Sequence, residues 1–297
     1  MRSCTAILFL VLAVGGSGQN PPPQAPFKPT TRQCTATGDL DIREIKSAVF
    51  KNTRKLRILL PHGYRNPEHA DTKYPVLYLN DGQNLFDVCT SIFNPMEWQV
   101  DESADRLIAE GKVEPLIIVG IDNAGKRDRP REYLPLPDDT LRPYIAEVHG
   151  DRYPEFLTSE VMPFIQKNYR AKRGAENTGL GGSSYGGLIA FYTALHTSNT
   201  LGRLLLESPS IYVQDYAVLK QAAKHSNWPA RIYLGFGTAE PVAEDMARLQ
   251  KTLHDDGIGA ERLFVNITSD KHNEDAWAKR FPAALEFLFP RKRNEVR

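Results

Sequence analysis

The 297-residue chain predicts an α/β protein built on a mostly parallel sheet with helices on both faces. Three observations carry this. Segments with strand-like and helix-like apolar spacing alternate from about residue 57 to residue 288. Residues 116–121, LIIVGI, form a continuous apolar run, as a strand buried on both faces requires. Residues 179–187, GLGGSSYGG, concentrate five glycines where a strand meets a helix, which marks a sharp turn. Hydrophobic residues make up 41% of the chain, enough for a sizeable core.

In chain order, Arg2, the apolar run 6–14 (AILFLVLAV) and the small residues Gly15, Gly16, Ser17 and Gly18 have the layout of a secretory signal peptide, assigned to 1–18. Nine apolar residues are too few to span a bilayer, which takes about 20. No cysteine follows the run closely, so no lipid anchor is expected, and the mature protein is expected to be secreted or periplasmic. The proline-rich stretch 20–26 (NPPPQAP) belongs to a flexible lead-in, 19–40. Loss of the leader removes Cys4 and leaves Cys34 and Cys89. In an oxidising compartment these form either a disulfide or two free thiols.

One domain, 41–290, is expected to follow. Strands are predicted at 57–60, 76–79, 116–121, 178–182, 204–206, 232–236 and 263–267. Helices are predicted at 97–111, 156–169, 188–195, 241–254 and 275–288. The stretch 122–151, rich in charge and proline, reads as a long loop of the kind that is either functional or disordered. The basic tail 291–297 reads as a solvated terminus. A formal net charge of +1 argues against nucleic acid as a partner.

Within the glycine-rich turn, Gly182-Ser183-Ser184-Tyr185-Gly186 fits G-x-S-x-G with Ser184 at the centre, the pattern of a nucleophile elbow. Side chains two residues either side of the serine would collide as the turn closes, so only hydrogen fits. The register excludes Ser183, because Gly181-Gly182-Ser183-Ser184-Tyr185 lacks the second glycine. A phosphate-binding loop fits less well, since no Walker lysine follows.

A serine so placed needs an acid and then a histidine downstream. Of the seven histidines, His225, His254 and His272 lie beyond a further strand. His225 precedes the strand at 232, and His254 falls inside a predicted helix. His272 occupies the loop after the last strand, at the sheet end where an open α/β fold gathers its site. Glu240 leaves the end of the strand before it, and Asp245, one helical turn later, is the alternative acid.

The chain resembles the esterase family of α/β-hydrolases that includes enterochelin esterases, feruloyl esterases, S-formylglutathione hydrolase and mycolyl transferases. The matching motifs run in one order from about 45 to 289. They are Leu60-Pro61-His62-Gly63-Tyr64, Asp81-Gly82-Gln83-Asn84-Leu85-Phe86-Asp87, Gly120-Ile121-Asp122-Asn123, Arg131-Glu132-Tyr133, the elbow itself, Gly237-Thr238-Ala239-Glu240 and His272-Asn273-Glu274. The resemblance implies an α/β-hydrolase fold, serine esterase chemistry through an acyl-enzyme, and neither cofactor nor metal. It also places the oxyanion donors at the backbone N–H groups of Gln83 and Tyr185. Asp122, Asn123, Arg127 and Arg131 of the long loop are candidates to meet a small-molecule or sugar-linked ester. An acyl transferase would use the same residues, and a silent binding protein could keep the scaffold. Two departures from the family pattern, Asn80 for the histidine many members carry there and Tyr185 for the methionine often found there, bear on the pocket.

Overall fold

The computed structural model describes residues 33–92, 96–139, 141, 145, 147–197 and 199–291. The expected leader, residues 19–32 of the lead-in and residues 292–297 of the tail lie outside them. No helix among the described residues is long and apolar enough to cross a membrane.

Eight strands form one sheet in the order β1-β2-β4-β3-β5-β6-β7-β8. β1 (Asp39–Ser47) and β2 (Asn52–Leu60) make an antiparallel hairpin, and β2 runs antiparallel to β4 (Ile117–Ile121). The other six strands are parallel: β4, β3 (Val76–Asn80), β5 (Thr178–Ser183), β6 (Arg203–Glu207), β7 (Arg231–Gly237) and β8 (Leu263–Thr268). The mostly parallel sheet expected from the alternating pattern is therefore present. β1 has no counterpart in the sequence reading: its apolar residues Leu40, Ile42 and Ile45 break strict alternation, and the strand begins at Asp39, inside the expected lead-in.

The helices are α1 (Val100–Ala109), α2 (Arg129–Tyr133), α3 (Tyr153–Glu155), α4 (Met162–Asn168), α5 (Tyr185–His196), α6 (Val213–Ala222), α7 (Ala243–Asp255) and α8 (Glu274–Leu288). The helix expected at 156–169 is a π-helical turn, Phe156–Val161, that runs into α4. The long loop is not structureless, since α2 lies inside it. α6 went unread; it opens with left-handed backbone at Gln214, Asp215 and Tyr216.

Because successive strand side chains point to opposite faces, each strand feeds two cores. Ile58, Tyr78, Val119, Leu180, Leu204, Leu206 and Leu234 pack with Leu188 and Phe191 of α5 on one face. Leu59, Leu77, Leu79, Ile118, Leu205 and Tyr233 pack with Leu107 of α1 and Phe281 and Leu285 of α8 on the other. The sheet is thus covered on both sides, and its parallel strands all end at one edge. Asp81, Ser184, Ser208, Glu240 and His272 stand at or just beyond the ends of β3, β5, β6, β7 and β8.

Of the two states left open for the cysteines, the structure has the bond: Cys34 and Cys89 form a disulfide with Cα atoms 5.2 Å apart. It holds a segment that is already anchored. The Thr37 backbone N–H and hydroxyl both donate to Asp101, at 2.6 and 2.9 Å, and the Thr35 N–H donates to Asp87 at 3.1 Å.

Candidate active site

Ser184 joins β5 directly to α5 with φ 54° and ψ −124°, a left-handed conformation that L-residues rarely adopt. The turn is held by main-chain bonds. The Ser184 N–H donates to the Glu207 carbonyl at 3.0 Å, and the Ser184 carbonyl accepts from Leu188 and Ser210 at 3.0 and 3.1 Å. The steric case for the glycines holds in detail. A Cβ on Gly182 would lie 2.8 Å from the Gly186 carbonyl carbon, and one on Gly186 would lie 2.8 Å from the Asp81 carboxylate. The Ser184 hydroxyl is 3.3 Å from that of buried Ser210, a neighbour the sequence did not suggest.

His272 and Ser184 line one cavity of about 290 Å³, together with Asp81, Asn84, Arg129, Asn273, Glu274 and Trp277. His272 Nδ1 is 2.7 Å from Glu240 Oε2. The Trp277 ring meets the imidazole edge-on, with centroids 5.0 Å apart. The Glu240 side chain is fully buried. Burial works to raise its pKa, but the hydrogen bonds from His272, Ser208 (2.9 Å) and the Gly237 N–H (2.6 Å) outweigh it and hold the carboxyl below its ordinary value. Of the two acids considered, Glu240 is the one against the imidazole; Asp245 instead accepts a 2.6 Å hydrogen bond from the Tyr216 hydroxyl.

The segment after β3 forms the opposite wall. Gly82, Gln83 and Asn84 make one 3₁₀ turn, entered through Asp81 at φ 59°. A side chain at Gly82 would meet the Gly120 backbone at 2.6 Å, so β4 and this turn touch through bare main chain. The Gln83 carbonyl accepts from the Thr90 hydroxyl at 2.7 Å, and Gln83 Oε1 accepts from the Asn123 N–H at 3.1 Å. Asn80 ties this wall to the elbow: its Nδ2 donates to the Gly186 carbonyl at 2.7 Å, and its Oδ1 accepts from the Tyr153 hydroxyl.

The loop candidates separate. Asp122 is paired with Arg57 at 2.7 Å, and Asn123 donates to Asp81 at 2.6 Å; both support the wall from behind rather than line the cavity. Arg127 is exposed. Arg131 pairs with Asp128 at 3.4 Å and lines a separate cavity of about 440 Å³ with Glu132 and His149. Among the described loop residues, the one that lines the serine cavity is Arg129, which the sequence does not single out. It bonds both Asp81 oxygens at 2.7 Å and lies over the rings of Tyr133 and Tyr185. Glu274 was also missed as a wall residue; burial, reinforced by the Asp81 charge, raises its pKa.

A parallel sheet with this elbow at its C-terminal edge defines an α/β-hydrolase. The comparisons agree. A ferulic acid esterase structure superposes with a TM-score of 0.67 at 18% identity, covering 87% of this chain and 99% of that one. The enterobactin esterase of Shigella flexneri superposes with a TM-score of 0.66 at 22% identity, covering 90% of this chain and 63% of that one. At such identities the likeness shows the fold. Among curated sequences, the endo-1,4-beta-xylanase/feruloyl esterase of Xylanibacter ruminicola is 25% identical over 261 residues, which are 84% of this chain but 32% of that protein. The family described as "Putative esterase" matches residues 47–288, so the chain belongs to it and is a hydrolase of esters.

Proposed function

We propose that the protein is an exported serine esterase that cleaves carboxylic esters through an acyl-enzyme on Ser184. The observation that carries this reading is the strained elbow serine on one cavity with His272, whose Nδ1 meets buried Glu240 at 2.7 Å. With Nδ1 engaged by the carboxylate, Nε2 is the nitrogen available to the serine. Ser184 Oγ attacks the acyl carbon as Nε2 takes its proton. The carbonyl oxygen becomes an oxyanion held by the backbone N–H groups of Gln83 and Tyr185. The imidazolium, stabilised by Glu240, returns the proton to the departing alcohol. Water then attacks the acyl-enzyme by the same relay and frees Ser184. The Arg129–Asp81 ion pair gives the cavity a polar wall, which suits a polar part of the ester. Export is proposed from the signal-like start, and the Cys34–Cys89 bond suits an oxidising compartment.

A fluorophosphonate probe tests the nucleophile. Labelling is expected at Ser184, lost in Ser184→Ala and largely kept in Ser183→Ala. Labelling that survives in Ser184→Ala overturns the assignment and favours a silent scaffold.

A further inference from the structure

Behind the imidazole lies a second buried charge system. Arg280, on α8, is 1% exposed, while the side chains of Glu207 and Glu240 are each 0% exposed. The guanidinium donates through Nε to Glu207 Oε2 at 2.9 Å and through Nη1 to the Thr268 hydroxyl at 2.8 Å. Its Nη2 lies 2.8 Å from Glu207 Oε2 and 3.6 Å from Glu240 Oε1. One fixed cation therefore stands between two buried carboxylates, and one of these is the acid that faces His272.

The proton positions follow from donor chemistry. The Ser208 hydroxyl is approached by Trp277 Nε1 at 3.3 Å and Arg280 Nη2 at 3.5 Å, both of which only donate. Its single proton is left for Glu240 Oε1, 2.9 Å away. That bond and the Gly237 N–H occupy Oε1, so Oε2 is directed at the imidazole. Two buried anions beside one cation leave one negative charge that favours taking up a proton. Burial, and then the Glu240 charge, push Glu207 up to about 7 against the pull of Arg280, while Glu240 stays below its ordinary value. Of the two, Glu207 takes up the proton first, as the pH falls through about 7; above that both carboxylates are charged, and throughout the acid at the imidazole keeps its charge. Among the described residues, the other titratable groups that face the pair include Tyr233 on β7, beside Glu207, and His272.

We propose that Arg280, with Glu207 as its counter-ion, is a positioning residue that keeps Glu240 ionised and aimed at His272, so that this pair sets where activity appears on the pH scale. The proposal rests on Ser184, His272 and Glu240 acting as read above. A structural brace would lower stability when broken, but it would not move the pH profile in opposite directions for its two members. Loss of the cation leaves excess negative charge, which favours the imidazolium; loss of the Glu207 charge does the reverse.

The test is the pH dependence of kcat/KM for 4-nitrophenyl acetate in four proteins: wild type, Arg280→Met, Glu207→Gln and the double variant, each with a thermal melt. Arg280→Met is expected to move the acid limb to higher pH and to lower kcat/KM at pH 7 by about 10- to 100-fold, the usual range for groups that orient a contacting residue. Glu207→Gln is expected to move the limb to lower pH by about half a unit. In the double variant the limb is expected to return towards wild type, with most of the activity regained. Limbs that stay put, or move the same way in both single variants, overturn the proposal. If Arg280→Met does not fold, Glu207→Gln decides the matter by the sign of its shift. Glu240→Gln in the same assay separates the two readings. Full activity there defeats the triad itself, whereas a damaged Glu240→Gln beside unmoved limbs defeats only the role of Arg280 and Glu207.

Discussion

At Ser184, φ 54° places a hydroxyl-bearing residue in backbone that favours glycine, and the glycines on either side make the turn possible. Gly186→Ala would drive a methyl group to 2.8 Å from the Asp81 carboxylate and displace the elbow. A shift of about 1 Å at a nucleophile can cost about 10²-fold in rate, and a loss of that order is expected in ester hydrolysis by this variant. Glu240→Gln keeps the shape of the side chain but removes the charge facing His272, so kcat is expected to fall by about 10²–10⁴. Asp245→Asn, which touches Tyr216 and not the imidazole, is expected to stay within about threefold of wild type in the same measurement. The reverse pattern would move the acid role to Asp245.

At the scale of single elements, α1 and the segment before it gather Glu97, Asp101, Glu102 and Asp105. Burial is the largest cause that raises Glu97 and Asp105, and it pushes Glu102 up to about 7, with Asp101 and Glu97 adding to the effect. A carboxyl whose folded pKa lies above its unfolded one contributes stability that is present below the unfolded value and lost as pH rises through the folded one. For Glu102 that window runs from its ordinary 4.5 up to about 7. Glu102→Gln should therefore raise the melting temperature at pH 8 relative to wild type and flatten its decline between pH 5 and pH 8. Melts at several pH values check this; a wild-type curve that rises across that window and is unchanged by the substitution rejects it. Glu240, held below its ordinary value, acts in the opposite sense in both proteins and drops out of the comparison.

For the molecule as a whole, the Cys34–Cys89 bond spans 55 residues and joins the start of the described chain to the segment after β3. Closing such a loop restricts the unfolded chain by about 4 kcal/mol in the entropy model, and for a domain of this size that corresponds to a melting shift on the order of 10 °C. Thr90, next to Cys89, donates to the Gln83 carbonyl at 2.7 Å, so the bond also braces the proposed oxyanion turn. The double substitution Cys34→Ser/Cys89→Ser is expected to melt lower than the oxidised protein while retaining most of its esterase turnover at 25 °C. Equal melting temperatures would show that the bond contributes nothing to stability, and a collapse of turnover in the folded variant would show that the turn depends on it.

The amino-acid sequence by itself put an acid, Glu240 or Asp245, and then His272 downstream of Ser184, and it determined the mostly parallel sheet and the elbow. Each of these is a local steric or periodic demand: two-sided burial writes 116–121 as an apolar run, and a closing turn admits only glycine at 182 and 186. β1 escaped because its outer side chains are exposed at the sheet edge and do not alternate cleanly. Only the tertiary structure decided which of Arg127, Arg129 and Arg131 reaches the cavity, since residues two apart on α2 point in different directions. Only the tertiary structure set Glu240 rather than Asp245 against His272 and bonded Cys34 to Cys89. The same holds for Arg280 and Glu207, 73 residues apart. Such pairings depend on where distant strand ends converge, and that convergence is produced by the packing of whole elements, which leaves no periodic trace in the sequence.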